Sequence, residues 1–336
     1  MARTTAVAWV IALLVLAVVV TCSGPAPTAP TAPTSGGPPA PARGEGSSPA
    51  GATSPLTGLP AGAGDPVFAV KVDNTAAGRP WDGVEFADVV YVEPVEGGLT
   101  RLLAVFSSQL PTSVGPVRSA RETDVGVLGA YGLPALVHSG AAPPVVRAVT
   151  AAPVVSTVPH DVPGAFRRDD RRPVPKNLYV DLTVLRDAVP QAEPARDVGF
   201  RFGPPPPGGE TTSQRDVRFP AARVGLTWAP DDRAWTVAMD GRTAVYGPER
   251  RPIQAETVVV ARVDVETSTV RDAAGAASPI AVTVGAGDAE VLRDGRTHPA
   301  RWSRAAPTDP MRLTSPDGRE LPLAPGRVWV ILAPTP

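Results

Sequence analysis

PVFAVKVDN (66–74), FADVVYVEP (86–94) and GLTRLLAVF (98–106) are the runs whose reading decides the fold. Each is short, apolar or alternating, and bounded by Gly, Pro or Asn, the pattern of strands. Helical patterns alternate with strands further on. Arg118 to about Tyr131 follows Pro116, which suits a first helical turn, and carries Glu122 and Asp124 early, where the positive end of a helix dipole favours them. LPALVHSG (133–140) reads as a strand, VVRAVTAA (145–152) as a short helix and LYVDLTVLRDAV (178–189) as an amphipathic helix. That alternation predicts a layered α/β (or α+β) domain over residues 54–202.

FGPPPPGGETTS (202–213) then interrupts the pattern, and residues 203–213 read as an interdomain linker. Beyond it the texture is strand and turn. LTWAPDDRAWTVAMDGR (226–242) reads as a hairpin, AETVVVARVDVE (255–266) as one long strand, and IAVTVGAGDAEVLRDGRTHPARW (280–302) as strands turning at Asp294-Gly295. Asp317-Gly318 repeats the device, so residues 214–336 are expected to form a small, mostly antiparallel all-β domain. Four consecutive prolines and Gly208-Gly209 in the linker predict that each domain folds around its own core.

Upstream, MARTTAVAWVIALLVLAVVVTCSG (1–24) has Arg3, an apolar stretch from about Ala6 to Val20, and Cys22, the single cysteine of the 336-residue chain. Residues 1–22 read as an export signal. The apolar stretch is shorter than the ~20 residues that comfortably span a bilayer. A lone cysteine in an exported chain has no disulfide partner, and its place directly after the apolar run resembles the lipid-modified cysteine of bacterial lipoproteins. Thr21 stands where such signals usually carry Gly, Ala or Ser, and an uncleaved anchor is the other reading. Residues 23–53 are rich in Pro, Ala and Gly and lack aromatic and large aliphatic side chains, so they are expected to be a disordered tether. The protein is accordingly expected outside the cytoplasm, anchored to the outer face of the cell membrane.

The chain has 32 basic and 33 acidic residues, a net charge of −1, so no sequence-wide basic field is present to hold nucleic acid. Its charged residues cluster instead. In VGPVRSARETD (114–124), Arg118 and Arg121 are expected one turn apart at a helix start, where free N–H groups favour anions. Arg101, inside an apolar strand, adds a guanidinium that is seldom left without a partner. Asp73 and Glu96 fall at apparent strand ends, and with the arginines could hold a magnesium ion over a diphosphate. Glu122, Asp124 and other acids could equally pair the arginines locally. FRRDDRRPVPKNLY (166–179) is either a solvated loop or a basic rim over the same anion. His138 stands beside Ser139, but the GxSxG pattern of a nucleophile elbow is missing. His138, His160 and His298 are too scattered to define a zinc site, and no cofactor is called for.

PLTGLP (55–60), AVKVDNTAAGRP (69–80), ADVVYVEPVEGGLTRLLAVFSS (87–108), VGPVRSARETD and LVHSG together resemble the YerB-like lipoproteins, a domain-of-unknown-function family of Gram-positive bacteria. TVGAGDAEVLRDGRTHPARWSR (283–304) and DGRELPLAPGRVWVILAP (317–334) resemble the family's C-terminal domain. The resemblance implies a membrane-tethered extracytoplasmic protein with no established reaction. It also implies a set of recurring polar positions: Asp73, Asn74, Arg79, Glu96, Arg101, Arg118, Arg121, His138 and Asn177. Lys176 stands where a histidine commonly precedes Asn-Leu-Tyr, and Ala141 where a second glycine usually follows His-Ser-Gly. The resulting expectation is non-catalytic binding of an anionic wall component or of a wall-acting enzyme. The alternative is a phosphotransferase or hydrolase acting on diphosphate-linked wall glycans, similar in its order of motifs to the LytR-CpsA-Psr enzymes.

Overall fold

The computed structural model describes residues 52–61, 64–271 and 275–336. The export signal, Cys22 and all but the end of the expected tether lie outside the described residues. β1 (Phe68–Asp73), β2 (Val89–Pro94) and β3 (Thr100–Phe106) form where the apolar runs predict them. β3 lies between the other two, antiparallel to both, with Arg101 opposite Asp73 on one side and Glu93 on the other. β4 (Ala135–Val137) and β5 (Val155–Thr157) continue the sheet, parallel to β1.

In the C-terminal half, β6 (Gln214–Arg218), β7 (Arg223–Ala229) and β8 (Ala234–Met239) form an antiparallel meander. The run 255–266 is not one strand but two, divided at Asp264: β9 (Thr257–Val263) stays in the main sheet, and β10 (Val265–Arg271) leaves it to pair with β11 (Ala277–Ala281). β12 (Gly285–Arg293) and β13 (Arg296–Arg304) make the hairpin expected at Asp294-Gly295, followed by β14 (Arg312–Thr314) and β15 (Val328–Pro334).

Among the described residues the largest sheet has eleven strands, ordered β14–β13–β12–β9–β15–β2–β3–β1–β4–β5, with Glu210–Thr211 added beside β13. β15 decides this arrangement. It is parallel both to β9, with Thr257 opposite Val328, and to β2, with Val89 opposite Val328. Its run VWVILA is buried throughout, as a strand covered on both faces requires. The expected boundaries 54–202 and 214–336 are thus changes of sequence texture, with one sheet built across them.

The proline-rich stretch is docked on that sheet. The Arg293 guanidinium is buried and donates to the carbonyls of Gly203 (3.0 Å) and Pro322 (2.9 Å), while Gly203 N–H donates to Leu323 O. Buried backbone carbonyls need donors, and Arg293 supplies them where no strand partner can.

The N-terminal half is more β-rich than a layered α/β domain. Its α-helices are short: α1 (Glu122–Leu128), α2 (Pro143–Ala151) and α3 (Leu182–Ala188). The helix expected from Arg118 begins at Glu122, because the preceding residues find partners as extended chain. Val114 and Val117 donate to Val180 O and Leu178 O, and Arg118 N–H donates to Lys71 O at 2.8 Å. The same pairing makes Leu178–Val180 a strand, so α3 begins only after Asp181, whose carboxylate accepts from Thr183 N–H and Val184 N–H as an N-cap.

Strand alternation divides the core between the faces of the sheet. Phe68, Val70, Val72, Val90, Val92, Leu102 and Ala104 pack on one side, while Ala69, Val89, Leu103 and Val105 pack on the other with α1 and α2. Lys71, Asp73, Glu93 and Arg101 share the parity of the second set. The central strands therefore end in a row of charges on the α1 side.

Candidate anion-binding site

That charge row is the foundation of the site. Lys71 and Glu93 are fully buried, and the Lys71 ammonium donates to Glu93 Oε2 and, at 2.6 Å, to Asp124 Oδ1 from α1. Burial pushes Glu93 well above the usual carboxylate range, with Lys71 pulling it down and the Asp124 charge adding to the rise. The other oxygen of Asp124 accepts from Arg121 N–H at 2.6 Å, which fixes the first turn of α1 and the entry of its guanidinium.

Arg121 is engaged through all three guanidinium nitrogens. Nε and Nη2 grip Glu96 at 2.6 and 2.9 Å, and Nη1 donates to the carbonyls of Ala120 (2.9 Å) and Ser119 (3.3 Å). Glu96 accepts a further bond from Ser278 Oγ on β11, a residue of the C-terminal half. Burial alone would raise the Glu96 pKa, but the Arg121 and Ser278 hydrogen bonds and the Arg121 charge outweigh it and hold the carboxyl at about 2. The bidentate pair gives Arg121 a structural partner within the protein, whereas the sequence reading expected it to contact a ligand.

Arg118 lies 3.2 Å by Nε from Asp73 Oδ2, and its Nη1 reaches toward Pro175 O at 3.5 Å. Neither Arg118 Nε nor Asp73 Oδ2 has a hydrogen-bond partner, although both are buried. Asp73 Oδ1 accepts from Thr75 N–H at 2.7 Å, and its carbonyl accepts from Trp81 Nε1. Asp73 and Glu96, expected as magnesium ligands in the enzymatic alternative, are thus in ion pairs with Arg118 and Arg121. Among the described residues no group of three His, Cys, Asp or Glu side chains is arranged to hold a metal.

Arg101 is different. Its Nη1 donates to Ser119 O at 3.2 Å, yet among the described residues no carboxylate lies within ion-pairing distance. Burial, then the charges of Arg121 and Arg118, pulls its guanidinium down to about 10. Glu96 and Asp73 offset part of that shift from beyond ion-pairing distance, so Arg101 is a partly buried cation without a direct carboxylate partner, and two further arginines stand beside it.

The remaining expected residues surround this centre without joining it. His138 bonds the Gly140 backbone through Nδ1 and Ser156 Oγ through Nε2, and burial lowers its pKa. Its turn is tied to the arginine segment, since Ser139 N–H donates to Arg118 O and Ala120 N–H to Gly140 O. Asn177 accepts from Arg168 at 2.7 Å. Asn74 donates to Thr100 Oγ1 and to Met239 Sδ, leaving its own oxygen buried without a partner. Arg79 pairs with Asp240 and lines a separate cavity.

The basic rim is largely occupied. Arg171 pairs with Asp169, Arg172 donates to Gly78 O and Pro80 O, and Arg167 and Arg172 lie over the Tyr179 ring. Sequence reasoning missed Lys71, Ser119 and Ser278, and read Asp124 only as a possible local partner of the arginines. Only Lys71 carried a signal, as a lone lysine inside the apolar run AVKVD.

Two family models match the chain: "Protein of unknown function (DUF3048) N-terminal domain" over residues 56–195 and "Protein of unknown function (DUF3048) C-terminal domain" over 215–330. A curated relative named "Putative lipoprotein YerB", from Bacillus subtilis strain 168, is 27% identical over 280 residues, covering 79% of this chain and 80% of its own. The crystal structure of YerB protein from Bacillus subtilis superposes with a TM-score of 0.70 at 24% identity, covering 84% of this chain and 97% of that one. This last likeness concerns the fold.

Proposed function

The chain belongs to the DUF3048 family, and from that premise we propose that it is a lipoprotein, held at the outer face of the membrane through Cys22, that binds an anionic group of a cell-wall component without transforming it. The observation that carries the reading is Arg101, a partly buried guanidinium with no carboxylate within ion-pairing distance and with Arg118 beside it. A diphosphate or carboxylate at this point would supply the missing counter-charge and accept from the Arg118 edge. Arg121, locked to Glu96, holds the walls of the site.

Support also comes from where the site is built. Ser278 from the C-terminal half bonds the same Glu96 that Arg121 grips, so both matched family segments contribute to one locus. The test is calorimetric titration of the full-length protein in nanodiscs with inorganic pyrophosphate across a salt series. Arg101→Gln is expected to weaken binding by about tenfold or more, the loss of one charge-assisted contact, and to leave thermal stability equal or higher. Unchanged binding in that variant, or absence of binding by the parent protein, would overturn the reading.

A further inference from the structure

A second basic site lies apart from the arginines discussed above. A cavity of about 150 Å³ is lined by Arg79, Pro80 and Trp81 from the loop after β1, and by Arg242, Ala244 and Arg250 from the segment after β8. It includes none of Arg101, Arg118 or Arg121. We propose that this cavity binds a phosphate monoester, such as the phosphoryl group of a sugar phosphate.

Three observations carry this. Arg79 is mostly buried, and its Nη1 is fully enclosed without donating a hydrogen bond, while Nη2 donates to Asp240 Oδ2 at 2.6 Å. The enclosed Nη1 fixes the guanidinium in the wall, and its positive charge bears on the cavity that Arg79 lines. Second, Arg242 and Arg250 form no ion pair among the described residues and stand at the exposed rim. Three arginines thus line the cavity and no carboxylate does; Arg79 is paired with Asp240 beside it, which leaves Arg242 and Arg250 uncompensated. The excess of two positive charges matches the charge of about −1.5 to −2 on a phosphate monoester at neutral pH.

Third, the walls are rigid and partly apolar. Asp240 is held by the backbone of Arg223, from which its carboxylate accepts at 2.9 Å, and the carbonyls of Gly78 and Pro80 accept from Arg172. Trp81 is fixed through Nε1 to Asp73 O. Pro80 presents carbon surface beside the cations, backed by the buried Ala244 and Trp81, which suits the C–H face of a small polyol attached to the phosphate. The volume is below the range of about 300–1,000 Å³ that encloses drug-sized ligands, so the cavity takes a charged head and a small body.

The experiment titrates the full-length protein in nanodiscs with glucose 6-phosphate, inorganic phosphate, glucose and a glycerol phosphodiester, in the parent and in the Arg242→Gln/Arg250→Gln variant. Both arginines are exposed, so the variant keeps the parent's thermal midpoint. Saturable binding of glucose 6-phosphate is expected, weakened about tenfold or more in the variant and unchanged by Arg101→Gln. Inorganic phosphate binding as tightly as glucose 6-phosphate would retain the phosphate site and remove the polyol contact. No saturable binding, equal binding of the diester, equal binding in the double variant, or loss through Arg101→Gln would each overturn the proposal.

Discussion

Replacing Arg121 by alanine is expected to damage folding, because the residue is the sole cation bound to a buried carboxylate. The side chains of Arg121 and Glu96 are 12% and 7% exposed, and two parallel N–H···O bonds join them. Removing one partner of such a pair leaves the other charge desolvated, a loss of about 3–5 kcal/mol. The shift of the Glu96 carboxyl from 4.5 to about 2 gives the same scale, about 3 kcal/mol at 1.36 kcal/mol per pKa unit. Its sign is that of a depressed carboxylate. The contribution is complete above 4.5 and is lost as pH falls toward 2, so the parent's stability declines through that window while Arg121→Ala, already lacking the pair, declines less. The assay is thermal denaturation at neutral pH and along an acid series, with Arg121→Ala, Glu96→Ala and the double variant. At about 2 °C per kcal/mol for a chain of this size, Arg121→Ala should melt about 6 °C lower. The double variant should recover part of that loss, because no unpaired charge remains. An unchanged midpoint together with lost anion binding would refute the reasoning and return Arg121 to the ligand contacts.

Lys71→Met should be more damaging than a surface lysine change, by about 3–5 kcal/mol, since Asp124 would remain buried without a cation and Glu93 would lose its donor; urea denaturation reads it. Because burial raises the Glu93 pKa, the parent is expected to lose stability as pH rises through the range above 4.5, and Glu93→Gln should flatten that slope. Residues 54–202 and 214–336 expressed separately should not give folded, dispersed amide spectra, because β15 would lack β2 and β2 would lack β15; two folded fragments would show that each half closes its own sheet. Mass spectrometry of the native protein should find Cys22 as a lipid-modified N-terminus, and residues preceding it would contradict that.

What local sequence determined is the set of strands and turns. FAVKVD, VVYVEP and TRLLAVF are short apolar runs with turn residues at both ends, and Asp294-Gly295 between two strand patterns turns a hairpin, because these preferences act within a few residues. The family was equally readable, since EGG-TR and GPVRSAR are contiguous. The register of charges along β1 and β3 was implicit in the alternation, but the partner of each charge was not. Arg121 meets Glu96 across 25 positions, and Glu96 meets Ser278 across 182. Such pairs have no local signature, so counting acids near Arg118 and Arg121 could not identify which guanidinium was satisfied. Tertiary structure decided that Arg121 has a carboxylate partner, that Arg101 has none within ion-pairing distance, and that Arg79 lines another cavity. It also decided the sheet order. VWVILA announces a doubly buried strand, but nothing within those six residues says that its neighbours are β9 and β2; that choice depends on which apolar faces remain uncovered when the whole chain has collapsed. Long-range pairing also delayed the start of α1 to Glu122, because Lys71 O and Leu178 O offered residues 117–118 hydrogen bonds that local helix preference could not weigh.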